Sequence, residues 1–466
     1  MKLQIYETNY GKNRFMEKLP TVEFYDDKPD PDGREDRLLN IYPEARYQEI
    51  VGFGGAMTEA TALNLEYMGE ELHKKAMELY FDSEKGIGYS LIRSTINSCD
   101  FSKDFYSYDE VDGDHELKNF DISHDREYII PALKEAFETA EELKLYCSPW
   151  SPPAWMKTNG RMNRGGKLKN DCYQTWAHYF TRFIQEYEKE GVRVWGVTPQ
   201  NEAKAEQNWE SCFYSKEEEA EFTNKYLKPD LIKNGLGDVK IFVWDHNKER
   251  TMDRALTIFK DKRITGEKGY EGPDGIAVHW YSGEHFAALD AFHNVFPDKL
   301  ILGSEHSKSA GKTPEESGER YAHDIIGDLN NYSNGWTDWN MILDEEGNPD
   351  HWKDEQIESG WAPEKIWVGE APIVYDKNKK ELDIRSSYYY MGHISKFVRP
   401  GAVRIGSSIY DGRIETVSFE NKDGSIVTVI LNRTDEDRTL SIRLDGKLAD
   451  IKSEKHSIIT TVISKC

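Results

Sequence analysis

Two glutamates in this sequence directly follow apolar runs, as residues at the end of a buried strand do. Glu202 ends the stretch Val-Thr-Pro-Gln-Asn-Glu, and Glu305 ends Ile-Leu-Gly-Ser-Glu. Two facing carboxylates suit glycoside hydrolysis: an acid with a raised pKa protonates the leaving oxygen, and an ionised carboxylate attacks the anomeric carbon. A separation of about 5–5.5 Å gives retention, and a wider one gives inversion. A lone Glu in such a place is more often a cap or a surface ion pair, so the prediction depends on the pair.

The strands and helices that must position this pair can be predicted from the hydrophobic pattern. Short apolar runs alternate with longer amphipathic stretches, which is typical of a β/α protein. Eight candidate strands cover 50–56, 89–93, 143–148, 194–198, 240–244, 275–280, 300–303 and 335–339. Helical spacing predicts helices at 123–143, 173–190 and 216–234. We therefore predict an α/β fold with a (β/α)8 barrel, in which chemistry lies at the C-terminal strand ends and strands four and seven face each other. Gly52-Phe-Gly-Gly55 lacks the G-x-G-x-x-G spacing of a nucleotide fold and indicates crowded backbone.

The last part of the chain predicts an attached β-sandwich. From residue 403 onward, alternating runs cover 415–420, 425–432, 439–444 and 457–463, and Asp-Gly pairs at 423–424 and 445–446 are hairpin turns. Strand-like segments at 3–7 and 21–25 precede the barrel. The predicted division is N-terminal strands joining the sandwich (1–45), a catalytic barrel (46–398) and a C-terminal sandwich (399–466).

Composition narrows the class of partner. The 466 residues carry a net charge of −24 with a pI near 5.1, which disfavours nucleic acid and anionic membranes and favours a small neutral carbohydrate. Five cysteines without a C-x-x-C pair indicate reduced thiols. No secretory signal and no apolar run of membrane-spanning length is visible, so a cytoplasmic location is expected. A homo-oligomer stays open.

Long motifs in a fixed order give a more specific indication. The sequence resembles glycoside hydrolase family 30, the family of glucosylceramidase and related bacterial β-glycosidases, from about residue 51 to 406 and in its C-terminal sandwich. The motifs are GFGGA (52–56), IRST (92–95), SCDFS (98–102), SPWSPPAWMKTNG (148–160), QNE (200–202), GIAVHWY (275–281), SE (304–305), GWTDWN (335–340) and GHISKF (392–397).

The resemblance implies a role for each matching residue. It implies that Glu202 is the acid/base, that Glu305 is the nucleophile, and that no cofactor or metal is needed. It also implies five sugar-contacting residues: Asp100, Trp150, Asn201, Tyr281 and Trp339. Four more are implied as supporting residues: Arg93 to hold Glu305 ionised, Asp245 and His246 to orient or tune Glu202, and His279 behind the carboxylates.

Each role has an alternative. Trp150 and Trp339 could be core residues, and Arg93 could form a structural salt bridge. His246, His279 and His306 follow three strands, which keeps a barrel metallohydrolase open, although no H-x-H or H-E-x-x-H motif is present. A third alternative is a carbohydrate-binding protein with a decayed site.

The sequence departs from the family pattern at both glutamates. The family usually has Asn-Glu-Pro at the acid/base, but here Ala203 follows Glu202. Many members have Glu-Ala-Cys at the nucleophile, but here His306-Ser307 follows Glu305. These departures leave the subfamily open, with β-glucosides expected first and β-xylosides, β-fucosides and β-1,6-glucan oligomers as alternatives. The Trp-rich segment 351–367, with Trp352, Trp361 and Trp367, is either a wall on the aglycone side or a packed loop.

Overall fold

The computed structural model describes residues 1–29, 33–261, 272–308, 311–358, 360, 362 and 368–464. In these ranges the chain forms a closed barrel of eight parallel strands, a ten-stranded sheet and a small three-stranded sheet. This architecture confirms the predicted fold class. No helix in the same ranges is long and apolar enough to cross a membrane.

Four strands precede the barrel and belong to the ten-stranded sheet. They are β1 (Lys2–Asn9), β2 (Arg14–Glu23), β3 (Tyr25–Asp26) and β4 (Leu38–Glu49). β1 runs antiparallel to the last strand of the chain, with Lys2 opposite Ser464. The long strand β4 was not predicted, because Pro43 and several charged residues break the alternation of its sequence LLNIYPEARYQE.

The barrel strands fall within a few residues of the eight predicted runs. They are β5 (Gly52–Met57), β6 (Leu91–Ile96), β7 (Lys144–Pro149), β8 (Val194–Val197), β9 (Lys240–Asn247), β10 (Gly275–His279), β11 (Leu300–Glu305) and β12 (Gly335–Asn340). β12 pairs with β5 and closes the ring. A Cβ atom on Gly54 would lie 1.6 Å from the carbonyl oxygen of Leu91, which confirms the predicted backbone crowding.

Helices cover the outside of the barrel and its mouth. They are α1 (Glu59–Tyr67), α2 (Glu70–Phe81), α3 (Ile129–Thr139), α4 (Tyr173–Lys189), α5 (Lys216–Glu221), α6 (Lys228–Lys233), α7 (Thr251–Ile258), α8 (Phe286–Val295), α9 (Glu316–Asn330), α10 (His351–Glu358) and α11 (Ser386–Ser395). The helix predicted at 216–234 is interrupted by a π-helical turn, Phe222–Leu227. Pro229 follows this turn, and its missing N–H accounts for the break in regular hydrogen bonding.

The remaining strands complete the other two sheets. The three-stranded sheet contains β13 (Ile342–Asp344), β14 (Ile373–Asp376) and β15 (Glu381–Ile384). The sandwich sheet adds β16 (Val403–Ile409), β17 (Ile414–Glu420), β18 (Ile426–Asn432), β19 (Arg438–Leu444), β20 (Lys447–Ser453) and β21 (Ser457–Ser464). Asp445 and Gly446 both have positive φ, at 50° and 70°, as a tight hairpin between β19 and β20 requires.

A buried histidine ties the barrel to the sandwich. His393 on α11 is fully enclosed, and its two ring nitrogens lie 2.9 Å from the hydroxyl of Thr460 on β21 and 2.9 Å from that of Thr8 on β1. Because the ring contacts both β1 and β21, one side chain holds this neighbouring pair of strands against the barrel.

Candidate active site

A cavity of about 320 Å³ opens at the C-terminal ends of the barrel strands. Its lining residues are Asp100, Phe101, Trp150, Asn201, Glu202, Gln207, Trp209, His246, Asn247, Tyr281, Glu305, Trp339 and Trp352. The lining includes eight of the residues that the sequence singled out for the site. The other three, Arg93, Asp245 and His279, are fully buried and contact the two glutamates from behind. Four lining residues were not predicted to belong to the site: Phe101, Gln207, Trp209 and Asn247.

Glu305 is the last residue of β11 and is held by two strong donors. The Arg93 guanidinium donates from Nη1 to Oε2 at 2.5 Å, and the Tyr281 hydroxyl donates to Oε1 at 3.0 Å. Burial and the nearby Glu305 charge hold the pKa of Tyr281 well above its usual value, so its hydroxyl keeps its proton. Both oxygens of this enclosed carboxylate therefore accept a hydrogen bond from the barrel wall.

Glu202 lies in the loop after β8 and is held more loosely. Its Oε1 is 3.3 Å from Nδ1 of His279 and 3.4 Å from Nδ1 of His246, and its Oε2 is 3.4 Å from the amide of Gln207. Its backbone has φ 48°, a left-handed conformation, and its N–H donates to the carbonyl of Asp245 at 2.8 Å. This unusual backbone conformation turns Glu202 into the mouth of the barrel.

Strand β9 is distorted where it meets this loop. Trp244 and Asp245 have φ values of 77° and 43°, and the pairing with β10 shifts register between Ala277 and Val278. Non-glycine residues in left-handed backbone cost free energy and cluster at functional sites. The distortion places the Asp245 side chain among the other charged groups of the barrel interior.

Asp245 is the electrostatic centre behind the cavity. Its two oxygens accept five hydrogen bonds, from Arg93, Ser148 and Thr198 on Oδ2 and from His279 and Ser304 on Oδ1. Burial raises the pKa of this carboxyl, but the Arg93 charge and the His279 hydrogen bond outweigh burial and hold it well below the usual range. Asp245 is therefore ionised across the working range of the protein.

His279 lies between the two glutamates. Its Nδ1 is 3.3 Å from Glu202 and 3.8 Å from Glu305, and its Nε2 is 3.0 Å from Asp245. Burial lowers its pKa, but Glu305, Asp245 and Glu202 together raise it to about 9. Burial raises the pKa of Glu202. The hydrogen bond from His279 and the charges of His246 and His279 outweigh burial and lower this pKa to about 2.

The raised pKa expected at the catalytic acid is therefore wrong for Glu202 in this structure. Three carboxylates surround the His279 imidazole, and they favour its protonated form. A proton on Nδ1 of His279 can reach Glu202 across 3.3 Å. The sequence did not show this arrangement, because it depends on how three separate strand ends converge.

Trp150 and Trp339 form one wall of the cavity. Their rings stack with centroids 5.0 Å apart and planes at 25°, and the Arg93 guanidinium lies 4.8 Å from one ring and 5.5 Å from the other. Both side chains are buried and also pack in an apolar cluster with Phe101. They therefore serve both functions that the sequence left open, as core residues and as apolar wall.

Asp100 and Asn201 supply polar groups at the same cavity. Oδ1 of Asp100 is buried and has no hydrogen-bond partner among the residues that the structure describes. Burial raises the pKa of Asp100 well above its usual value, and the carboxylates of Asp350, Glu305 and Glu210 add to the effect. Asn201 accepts from Arg93 at 2.8 Å through Oδ1, so its amide NH2 remains as a donor.

The rim is closed by two tryptophans. Trp209, in the loop after β8, and Trp352, on α10, meet edge to face with ring centroids 4.4 Å apart. Beside them, Nε2 of His351 lies 3.2 Å from the buried Glu210. Burial lowers the pKa of His351, but Glu210 raises it to about 9, so the two form an ion pair that joins loop and helix. Trp361 and Trp367 lie outside the described residues.

The three histidines of the metallohydrolase hypothesis do not converge. His306 stacks on Trp336 with ring centroids 3.7 Å apart, and its Nδ1 lies 2.8 Å from the Thr337 carbonyl. Burial holds its pKa well below the usual value. His306 is thus a packed neutral side chain, apart from His246 and His279.

Comparisons with known proteins agree over nearly the whole chain. The model of the glycosyl hydrolase family 30 TIM-barrel domain matches residues 50–398, and that of the family 30 β-sandwich domain matches 401–461. The lysosomal acid glucosylceramidase of Mus musculus is 34% identical over 426 residues, which cover 87% of this chain and 79% of that protein.

Two solved structures extend the comparison. The crystal structure of SrfJ from Salmonella typhimurium superposes with a TM-score of 0.91 at 33% identity, and an endo-β1,6-glucanase superposes with a TM-score of 0.86 at 27% identity. In both cases the match covers 100% of each chain.

Proposed function

We propose, from the premise that this chain belongs to glycosyl hydrolase family 30, that it is an exo-acting β-glucosidase with Glu305 as nucleophile and Glu202 as acid/base. As a family member it hydrolyses β-glycosidic bonds with retention of configuration. The observation that carries the assignment of roles is the difference in hydrogen bonding. Glu305 accepts two short bonds from Arg93 and Tyr281, whereas Glu202 has only long contacts and a neighbouring proton source in His279.

In the first step, a carboxylate oxygen of Glu305 forms a bond to the anomeric carbon while the glycosidic C–O bond breaks. Glu202 gives its proton to the departing oxygen, and His279 can supply that proton across 3.3 Å. In the second step, Glu202 takes a proton from water, the water oxygen attacks the anomeric carbon, and the bond to Glu305 breaks. The product is the β-sugar, and the proton that Glu202 took from water can pass to His279 across 3.3 Å, which restores the starting state.

The preference for a terminal glucose rests on Asp100 and on the size of the cavity. A buried carboxylate oxygen without a protein partner is costly, and sugar hydroxyls are the donors that would satisfy it. A volume of about 320 Å³ lies near the lower end for small-molecule pockets, which favours one or two sugar units over a long chain. The similar mouse protein is also a glucosylceramidase.

A second candidate is endo-1,6-β-glucanase activity, which the similarity to a solved endo-β1,6-glucanase favours. The Trp209–Trp352 pair at the rim offers apolar ring faces on which an additional sugar unit could stack. The carbohydrate-binding alternative is not supported, because both carboxylates face one cavity with their donors in place.

The test is hydrolysis of nitrophenyl β-glycosides of glucose, xylose, fucose and galactose, beside a β-1,6-glucan and a glucosylated lipid. The control is Glu305→Gln, which keeps the side-chain shape and removes the charge. Turnover of the glucoside by wild type alone supports the proposal. Cleavage of the glucan into internal fragments, without turnover of the glucoside, would support the second candidate instead.

A further inference from the structure

Three potential metal ligands meet at the inner side of the cavity. Glu202, His246 and His279 each offer one ligand atom, and these atoms lie within 4.8 Å of one another. Oε1 of Glu202 is 3.3 Å from Nδ1 of His279 and 3.4 Å from Nδ1 of His246. A tetrahedral zinc site with bonds of about 2.0–2.1 Å has ligand–ligand edges of about 3.3 Å. Two edges of such a site are therefore already present.

The hydrogen bonding around the ligands also suits a metal ion. Nδ1 of His246 is buried and has no hydrogen-bond partner in the part of the chain that the structure describes. Nε2 of His279 lies 3.0 Å from Oδ1 of Asp245, so the tautomer with its proton on Nε2 turns the Nδ1 lone pair toward Glu202. A carboxylate behind a metal-binding histidine is the usual outer support of zinc sites.

We propose that Glu202, His246 and His279 bind one Zn²⁺ ion, and that this ion inhibits the enzyme by occupying its acid/base. The proton that Nδ1 of His279 carries is released to solvent, and the fourth position is open to water because the cavity is open at its mouth. Two nitrogens and one carboxylate are ligands that zinc accepts readily, whereas calcium and magnesium prefer oxygen alone. The ion is an inhibitor and not a cofactor, since it occupies the carboxylate that must transfer a proton.

The expected inhibition rests on the proposed function, because it requires Glu202 to be the acid/base. The expected zinc binding does not require that role. The surrounding charge favours a cation, because Glu305 lies 3.8 Å from His279 and Asp245 lies directly behind. A zinc ion at this place would lie where the leaving oxygen must approach. Substrate and zinc should therefore exclude each other.

Binding is tested without turnover. Isothermal titration of the full chain with Zn²⁺ should give one site, and Co²⁺ should give the visible absorption of a four-coordinate ion. His246→Ala and Glu202→Gln should each weaken Zn²⁺ binding by about 100-fold or more, since loss of an outer-shell partner alone costs roughly 10–100-fold. His73→Gln, on a half-buried histidine that pairs with Glu135 on the outside of the barrel, is the matched control and should bind as wild type.

Inhibition is the second readout. Zn²⁺ should raise the apparent KM for the substrate that the enzyme turns over, and a chelator should restore full turnover. Equal Zn²⁺ affinity in wild type, His246→Ala and Glu202→Gln, each checked for native circular dichroism, would overturn the site. Zinc binding with no turnover on any glycoside would instead leave the site standing and count against the proposed function.

Discussion

Arg93 donates a 2.5 Å hydrogen bond to Glu305 from a guanidinium that is fully enclosed by protein. The same guanidinium contacts Asp245 and Asn201 at 2.8 Å. Two carboxylates share one buried cation, which orients Glu305 through a charge-assisted hydrogen bond. The structural salt bridge that the sequence left open as an alternative for Arg93 therefore involves the same guanidinium that contacts Glu305.

Arg93→Lys should lower both stability and turnover. Lysine keeps the charge, but it lacks the planar fork that contacts three acceptors at once. Loss of a partner from a buried ion pair typically costs about 3–5 kcal/mol in the free energy of unfolding. Urea unfolding and kcat measure the two effects, and Arg193→Lys, in an exposed pair with Asp238, should stay within about 0.5 kcal/mol of wild type. An Arg93→Lys variant that is inactive but as stable as wild type would show that the Arg93 ion pair contributes less to the free energy of unfolding than expected.

Azide should distinguish the roles of the two glutamates. Glu305→Ala opens the face from which the nucleophile attacks, so azide entering there should yield the α-glycosyl azide. Glu202→Ala still forms the glycosyl-enzyme from an activated nitrophenyl glycoside, and azide should then attack from the opposite face and yield the β-glycosyl azide. Nuclear magnetic resonance of the products gives the anomer. The reverse pattern would exchange the two assignments.

Tyr281→Phe removes one of the two donors to Glu305 and leaves the ring in place. A hydrogen bond to a charged group is worth about 1.5–3 kcal/mol, so kcat/KM should fall by roughly 10-fold to 150-fold. Tyr25→Phe removes a hydroxyl that donates to Asp450 on the sandwich and should not change turnover. An unchanged kcat/KM in Tyr281→Phe would mean that Arg93 alone holds the carboxylate.

His393 should make stability depend on pH. Burial lowers its pKa from the ordinary 6.5 to about 3. Between these values the unfolded chain binds a proton that the folded chain does not, so the free energy of unfolding falls as pH falls, by about 1.4 kcal/mol per pH unit. The free energy of unfolding therefore decreases progressively as the pH falls below 6.5.

The measurement compares wild type with His393→Gln, which cannot titrate. Between pH 7.5 and 5.0, the stability of wild type relative to the variant should decrease by about 2 kcal/mol. The variant should be the less stable protein at pH 7.5, because it loses the contacts with Thr8 and Thr460. Parallel stability curves over this range would show that His393 takes up a proton in the folded state.

Trp209→Ala should affect the aglycone side more than the reaction itself. The ring lines the cavity and meets Trp352 edge to face, so its loss removes apolar surface from the rim but leaves both glutamates in place. We expect KM to rise for substrates with a large aglycone, with a smaller change for a nitrophenyl glycoside. Tyr410→Ala, at an exposed aromatic residue next to β16, is the control. A comparable loss in kcat for both substrates would place Trp209 among the residues that position the sugar.

Some of these features could be read from sequence, and others could not. The barrel strands are near-continuous apolar runs, and Glu305 follows such a run directly, so its place at the barrel mouth was predictable. The contact between Glu202 and His279 was not predictable, because it depends on left-handed backbone at Glu202, Trp244 and Asp245. The pairing of Trp209 with Trp352 joins segments more than a hundred residues apart, and nothing in either segment signals the other.

The pairing of β1 with β21 has a consequence for how the protein is made. Strands β1 and β4 leave the ribosome before the barrel, yet their neighbours β16, β19 and β21 are translated after it. The barrel can close while synthesis continues, but the first strands must wait, with an unpaired edge, for some four hundred residues. Such distant contacts form slowly, so completion of this sheet should be the late step of folding and the stage at which nascent chains are most open to aggregation.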